Sequence, residues 1–347
     1  MNKIKNKLNL LIKILKRSKN TEPLLHGKIV AMSYLTVAVE PIFQNKKIKN
    51  VEREIVEIIY KTISIFNSYV ILSKFSTNKD IRSSSFLKNR TFISMHKNLW
   101  QEIWPEHSLR DYDRLVEYRG KRLEYNSIRK QFLNKEVLDF GCGNGSISIA
   151  LMKRGAKNVL GVDFGKKNIL AARKWSKIYK FDKKMKFICG DILKFKIKRK
   201  FDFIVCSAVL HHLKNHSQLI RAMKNIKSVC KKGTYLYFYV RGYGGARSLI
   251  QESCVKCFEN VDAKIIREHL HILNFSREKI THMVDWFKAI YLQTKPEKLH
   301  KLFKNLGFKN YIRLKGPHKN DLDINQIKND NKSNIKFGTG ELRYICE

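Results

Sequence analysis

The sequence predicts a doubly wound, mostly parallel α/β sheet flanked by helical additions, and three observations predict it. Between residues 135 and 240, short apolar runs rich in Val, Ile, Phe and Tyr alternate with stretches of helical spacing. The first run ends in a glycine-dense turn, DFGCGNGS at 139–146, that passes straight into a helical pattern. The second run, NVLGVD, ends in an acid, Asp163. Strands alternating with helices join through right-handed crossovers, and open sheets of this kind bind ligands at the carboxyl ends of their strands.

The elements follow in order. Residues 1–20 hold seven Lys or Arg and no acid, with Leu8, Leu11, Ile12 and Leu15 at helical spacing. That is a basic amphipathic helix, suited to an anionic membrane surface or RNA, or else a solvated terminal helix. Lys13 and Lys16 interrupt any secretory-signal core. Residues 51–76 read as a long helix, and 77–92 have the polar, Ser-rich composition of a linker. A boundary near residue 95 therefore separates a basic helical extension, 1–95, from a larger domain, 96–347. Residues 96–133, with Trp100 and Trp104, predict one or two helices.

The strands are EVLDF, NVLGVDF, KFICGD, FDFIVCSA and TYLYFYV, separated by helical stretches such as SISIALMKRGA and SQLIRAMKNIKSVCKK. Residues 241–294 form a helical insertion with the character of a lid. PEKLHKLFKNLGF then predicts a helix closed by Gly307. KNYIRLK and GELRYIC bring the sheet to seven strands; the polar, turn-rich connection between them needs no crossover helix, so this pair is expected to run antiparallel.

Composition bounds the partners. The 347-residue chain carries 70 Lys and Arg against 30 Asp and Glu, a formal charge of +40. Such an excess attracts phosphates, anionic lipids or acidic substrates. AT-rich codon usage offers a neutral origin for the Lys excess but does not explain the shortage of acids. Seven cysteines, odd in number and scattered, indicate a reducing, cytoplasmic compartment. Cys254 and Cys257 form a C-x-x-C pair without further ligands nearby, so no metal is expected. No apolar run approaches the roughly 18 residues of a membrane span.

The glycine turn carries the chemistry. Gly141, Gly143 and Gly145 sit where a strand gives way to a helix, with Cys142 and Asn144 between them. Glycine there allows left-handed dihedrals and lets a ligand touch the main chain, while the helix start offers N–H donors. The dinucleotide pattern G-x-G-x-x-G fails at Ser146, and no Gly-Lys-Ser or Gly-Lys-Thr completes a phosphate loop. D-x-G-x-G-x-G remains, and its leading Asp139 would repel a pyrophosphate. Asp163, eighteen residues past Gly145, is placed to accept hydrogen bonds from a ribose.

These residues resemble the class I S-adenosylmethionine-dependent methyltransferases over 135–240. VLDFGCGNGS, GVDFGKKNILAAR, CGDI and FDFIVCSAVLHHL stand in the order of the family's first four motifs. The resemblance implies the family's Rossmann-like fold, with Asp139 and Gly141 to Gly145 lining the methionine half of S-adenosylmethionine and Asp163, beside Phe164, binding the ribose. It further implies that Asp191 lies beside the adenine with Ile192 packing on the ring, and that Cys206 and Ser207 border the cofactor. His211 and His212, after the fourth strand, are candidates for a general base or for orienting the acceptor. CSAV stands where base-amine methylases carry N-P-P-Y, and there is no Pro-Cys for cytosine-C5 chemistry. A small-molecule or lipid-linked acceptor is expected, methylated on O, N or C; RNA and a non-catalytic cofactor-binding subunit are the alternatives. Arg241, Asp285, Trp286 and Tyr291 are candidate acceptor contacts, with Arg241 and Arg247 in RGYGGAR a candidate anion clamp.

Overall fold

The computed structural model describes residues 1–18, 21–44, 48–74, 107–316 and 324–347. The chain clusters into two compact units: one holds residues 1–91, 244–290 and 328–338, the other residues 92–243, 291–327 and 339–347. The second unit carries the sheet. Its strands are β1 (Glu136–Phe140), β2 (Asn158–Asp163), β3 (Met185–Cys189), β4 (Phe201–Ser207), β5 (Cys230–Arg241), β6 (Tyr311–Arg313) and β7 (Glu341–Cys346), in the order β3-β2-β1-β4-β5-β7-β6. The first five run parallel; β7 lies antiparallel to both β5 and β6, so the sheet is mixed.

Both faces of the sheet are covered, which is why β1 and β4 are buried almost throughout. On one face Tyr112, Val116, Ile149, Ala172 and Trp175 pack over Val137, Phe203 and Tyr237. On the other, Leu219, Met223, Leu299 and Phe303 pack over Leu138, Ile204 and Phe238. The helices of this unit begin on side-chain caps where the sequence supplies them. Helix Leu109–Glu124 starts at Ser108, whose hydroxyl accepts from Asp111 N at 3.1 Å, and His216–Ser228 starts at Asn215, whose amide oxygen accepts from Gln218 N at 3.0 Å. Pro296–Asn305 is followed by Gly307 at φ +74°.

The first unit is helical, with Asn2–Arg17, Glu22–Gln44, Val51–Ser73, Ala246–Phe258, Ala263–Ile272, Arg277–Lys288 and Asn331–Phe337. Chain order makes these α1, α2, α3, α9, α10, α11 and α14. In the sheet-bearing unit, α4 is Leu109–Glu124, α5 Arg129–Phe132, α6 Ser146–Lys153, α7 Lys166–Ile178, α8 His216–Ser228 and α12 Pro296–Asn305, while α13 is Ile324–Asn329. Helix α1 packs against α3 and α9 through Ile4, Leu8, Leu11 and Leu15, all buried, leaving Lys3, Lys5, Lys13 and Arg17 exposed. Its apolar stripe is thus core, neither frayed nor open to a lipid surface.

Three expectations need adjustment. The connection before β7, read as turns, contains α13 and α14, and the strand pair is nonetheless antiparallel. Helix α3 is long and apolar enough, by length and composition, to cross a membrane, although its Ile55, Ile59 and Phe66 are buried inside the unit. The run of residues 241–294 is divided between units, with Gly244–Ile290 clustering beside residues 1–91. The linker at 77–92, Trp100, Trp104 and the boundary near 95 lie outside the described residues.

Candidate active site

Strand β1 delivers the glycine turn to the carboxyl edge of the sheet. Gly141, Gly143 and Gly145 all have positive φ, at +76°, +54° and +79°, a region that other L-residues enter at a cost of about 1–2 kcal/mol. Their surroundings differ. A Cβ on Gly141 would meet Val209 Cγ2 at 2.2 Å, and one on Gly145 would press on Ala172 Cβ at 3.1 Å. A Cβ on Gly143 would meet nothing within 4 Å. The first and third glycines admit neighbouring side chains; the middle one keeps open the space over the turn.

Asp163, at the tip of β2, ties the turn to the next helix. Its Oδ2 accepts from Gly143 N at 3.0 Å, while Oδ1 accepts from Gly165 N at 2.8 Å and Asn168 Nδ2 at 3.1 Å. An ionised carboxylate oxygen accepts about two hydrogen bonds, so Oδ2 keeps a lone-pair direction for a hydroxyl. Burial pushes the Asp163 carboxyl above its ordinary range, against the pull of these donors. Asp139 is also buried and accepts from Ser148 Oγ at 2.5 Å. Desolvation raises its pKa to about 7, with the Asp163 charge adding to the rise and the Ser148 bond and Arg119 opposing it.

The turn is held from behind. Tyr112 Oη donates to Asn144 O at 2.9 Å, and its ring stacks on Trp175 at 3.9 Å between centroids. Cys142 is buried, and desolvation drives its thiol well above the ordinary value, so it stays protonated. Gly190 N donates to Asp163 O at 2.9 Å, joining the tips of β2 and β3. Asp191, partly exposed just beyond, turns its Oδ1 to Leu193 N at 2.8 Å, and Ile192 is buried in the apolar layer. Phe164 is half-buried after Asp163.

At the end of β4, Cys206 is buried and Ser207 partly so; Ala208 follows in the left-handed region at φ +63°. That strained residue swings Val209 over Gly141. Next comes a 3-10 turn, Leu210–His212. The buried His211 accepts at Nδ1 from Arg241 N at 3.1 Å. A neutral imidazole bonded in this way carries its proton on Nε2, so His211 presents an N–H donor and not a lone pair. The His211 and His212 rings lie 4.3 Å apart, and both lie against Tyr291, at 5.1 and 5.0 Å. The Arg241 guanidinium covers Tyr291 at 4.3 Å.

Asp139, the glycines, Asp163, His211, His212, Arg241 and Tyr291 thus belong to the sheet-bearing unit, whereas Asp285 and Trp286 belong to the helical one. There Trp286 is buried with the Arg247 guanidinium 5.5 Å from its ring. Tyr112, Ser148, Asn168 and Val209 support the site and were not singled out by sequence. The only signal for Tyr112 was an apolar position on an amphipathic helix, and for Asn168 a polar residue in a helix's first turn.

At this strand–helix bend an open main-chain turn lies beside the carboxylates of Asp139 on β1 and Asp163 at the tip of β2. The family model described as a methyltransferase domain matches residues 132–307, a little over half of the chain. The chain belongs to that family. It is 29% identical over 130 residues to a ubiquinone biosynthesis O-methyltransferase of Pseudomonas entomophila, covering 38% of this chain and 55% of that one. With the enzyme of the same description from Coxiella burnetii it shares 34% over 118 residues, 34% and 48% of the two chains. The chain therefore spans about half the length of the curated relatives it matches. Among solved structures, the N-methyltransferase NodS of Bradyrhizobium japonicum overlaps 73% of this chain and 97% of its own at 15% identity, with a TM-score of 0.43. Magnesium protoporphyrin IX methyltransferase of Synechocystis overlaps 74% and 95% at 15%, with a TM-score of 0.40.

Proposed function

We propose that the enzyme methylates a small-molecule or lipid-linked acceptor on O, N or C, in the cytoplasm, with the histidine pair facing the acceptor. The observation that carries this reading is the open space over Gly143 beside an Asp163 oxygen with a lone pair to spare. S-adenosylmethionine, when bound, supplies a sulfonium-linked methyl group that is already a strong electrophile. The protein's part is alignment and proton removal. The turn at Gly141 to Gly145 admits the methionine half, and Asp163 Oδ2 takes a ribose hydroxyl. Asp191 and Ile192 take the adenine edge and face; Phe164, Cys206 and Ser207 border the nucleoside. His211 orients the acceptor through its Nε2–H, which leaves the proton to His212. The ubiquinone biosynthesis relatives support an O-methylated small molecule.

Incubating the protein with methyl-labelled S-adenosylmethionine and fractionated cell extract tests the reading. Label in the small-molecule or lipid fraction is expected, and label confined to RNA or protein would overturn it. The exposed lysines of α1 are proposed to hold the enzyme peripherally at an anionic membrane surface. Sedimentation with phosphatidylserine vesicles, lost on replacing Lys3, Lys5 and Lys13 by Gln, is the expected outcome.

A further inference from the structure

Strand alternation places Tyr237, Tyr239 and Arg241 on one face of β5. In the antiparallel pairing Tyr239 stands opposite Arg343, and Arg241 opposite Glu341. Directly opposed residues share a face, so all four side chains project from the same side, next to Ser207, which pairs with Tyr239 from β4. Helix α4 covers that side and carries Arg119 and Arg122 one turn apart.

The result is a concentration of guanidinium groups in a buried place. Arg343 lies 4.3 Å over the Tyr239 ring and donates to Glu341 Oε2 at 3.1 Å. Arg122 Nη2 approaches the same oxygen at 3.9 Å. Arg343 is 1% exposed, and Arg122 and Arg241 are 8% each. Around the Tyr239 phenol the charged groups are one carboxylate, Glu341, and three guanidiniums, those of Arg343, Arg122 and Arg241. Arg119, one turn before Arg122 on α4, lies over the Tyr118 ring at 5.8 Å. Burying like charges together costs several kcal/mol per ion unless they are paired. Yet Arg241 Nη2, buried, has no hydrogen-bond partner among the described residues, and neither has the buried Thr294 Oγ1, whose own N–H donates to Arg241 O at 3.3 Å.

We propose that the methyl acceptor carries an oxyanion, a carboxylate or a phosphate, which seats on Arg241 beside Arg122 and Arg343. The proposal rests on the methyltransferase reading and names the substrate class for the same site. Guanidinium forks match planar and tetrahedral oxyanions with paired hydrogen bonds, and Arg241 is bound through its main chain to His211, one of the two histidines that face the acceptor. Anchoring the oxyanion on Arg241 therefore fixes the distance of the remainder of the acceptor from His211 and His212.

Isothermal titration of the full chain, loaded with S-adenosylhomocysteine and held at an ionic strength that screens surface charge, tests this. The probes are inorganic phosphate, benzoate and, as the uncharged counterpart, benzyl alcohol. One saturable site for phosphate or benzoate is expected, at least tenfold weaker in Arg241→Met and partly restored in Arg241→Lys, with S-adenosylhomocysteine affinity unchanged; the tighter of the two anions identifies the headgroup. Should Arg241→Met fail to fold, Arg122→Met carries the same expectation. Anion binding that is absent, matched by benzyl alcohol, or equal in the wild type and both Met variants would overturn the proposal. Failure of S-adenosylhomocysteine itself to bind the wild type would instead overturn the reading on which the proposal rests.

Discussion

Gly141 and Gly143 are written with the same letter and do different work, so their alanine variants should part company. At Gly141 a methyl group collides with Val209 at 2.2 Å, and the fold bears the cost. Gly141→Ala is expected to lower stability by about 2–4 kcal/mol, from overpacking together with the positive φ, read as a lower midpoint in urea. At Gly143 the methyl meets open space, so Gly143→Ala should cost the fold only about 1–2 kcal/mol of backbone strain while abolishing S-adenosylmethionine binding in calorimetry. Asp163→Ala should weaken that binding by an order of magnitude or more, as loss of about 1.5–3 kcal/mol of charge-assisted hydrogen bonding requires; unchanged affinity would remove Asp163 from the ribose site. Asp139 gives a pH test. Its folded pKa, about 7, lies above the ordinary 3.8. The stability it contributes is therefore present below pH 4 and is lost as pH rises toward 7, by about 1.4 kcal/mol per pH unit within that window. The difference in unfolding free energy between wild type and Asp139→Asn should show that slope, and a flat difference would contradict it.

At the scale of elements, the strand–helix alternation was legible because burial on both faces makes β4 and the second half of β5 nearly continuous apolar runs, and the glycine turn because positive φ leaves little choice of residue. The supports of the site were not. Tyr112 reaches Asn144 only because α4 packs across the sheet, and Ala208 gives no sign in the sequence that it will take a left-handed conformation. The basic amino-terminal helix shows the same limit. Its period was plain, but whether its apolar stripe met solvent, lipid or protein depended on α3 and α9. With Leu11 fully buried, Leu11→Ala is expected to cost about 2–5 kcal/mol, measured as a fall in the urea midpoint, whereas a solvated helix would be indifferent.

At the scale of the molecule, the charge of +40 separates acceptor classes by their response to salt. A small acceptor held by a few buried guanidiniums should keep its kcat/KM nearly constant between about 50 and 200 mM salt. Recognition of RNA through six or more phosphate contacts would fall by roughly a thousandfold over the same range. Steady-state kinetics at the two salt concentrations decides between them. Arg241 and Tyr291 belong to the sheet-bearing unit, Asp285 and Trp286 to the helical one.

By itself the sequence determined the class of fold and the family, since local dihedral demands and apolar period are properties of neighbouring residues. Tertiary structure decided which glycine leaves room for a ligand, which way His211 is protonated, and that Arg122, Arg241 and Arg343 surround Tyr239 together with Glu341. Those arginines lie more than 200 positions apart at the extremes, and the antiparallel register of β5 and β7 sets Arg343 opposite Tyr239 and Arg241 opposite Glu341.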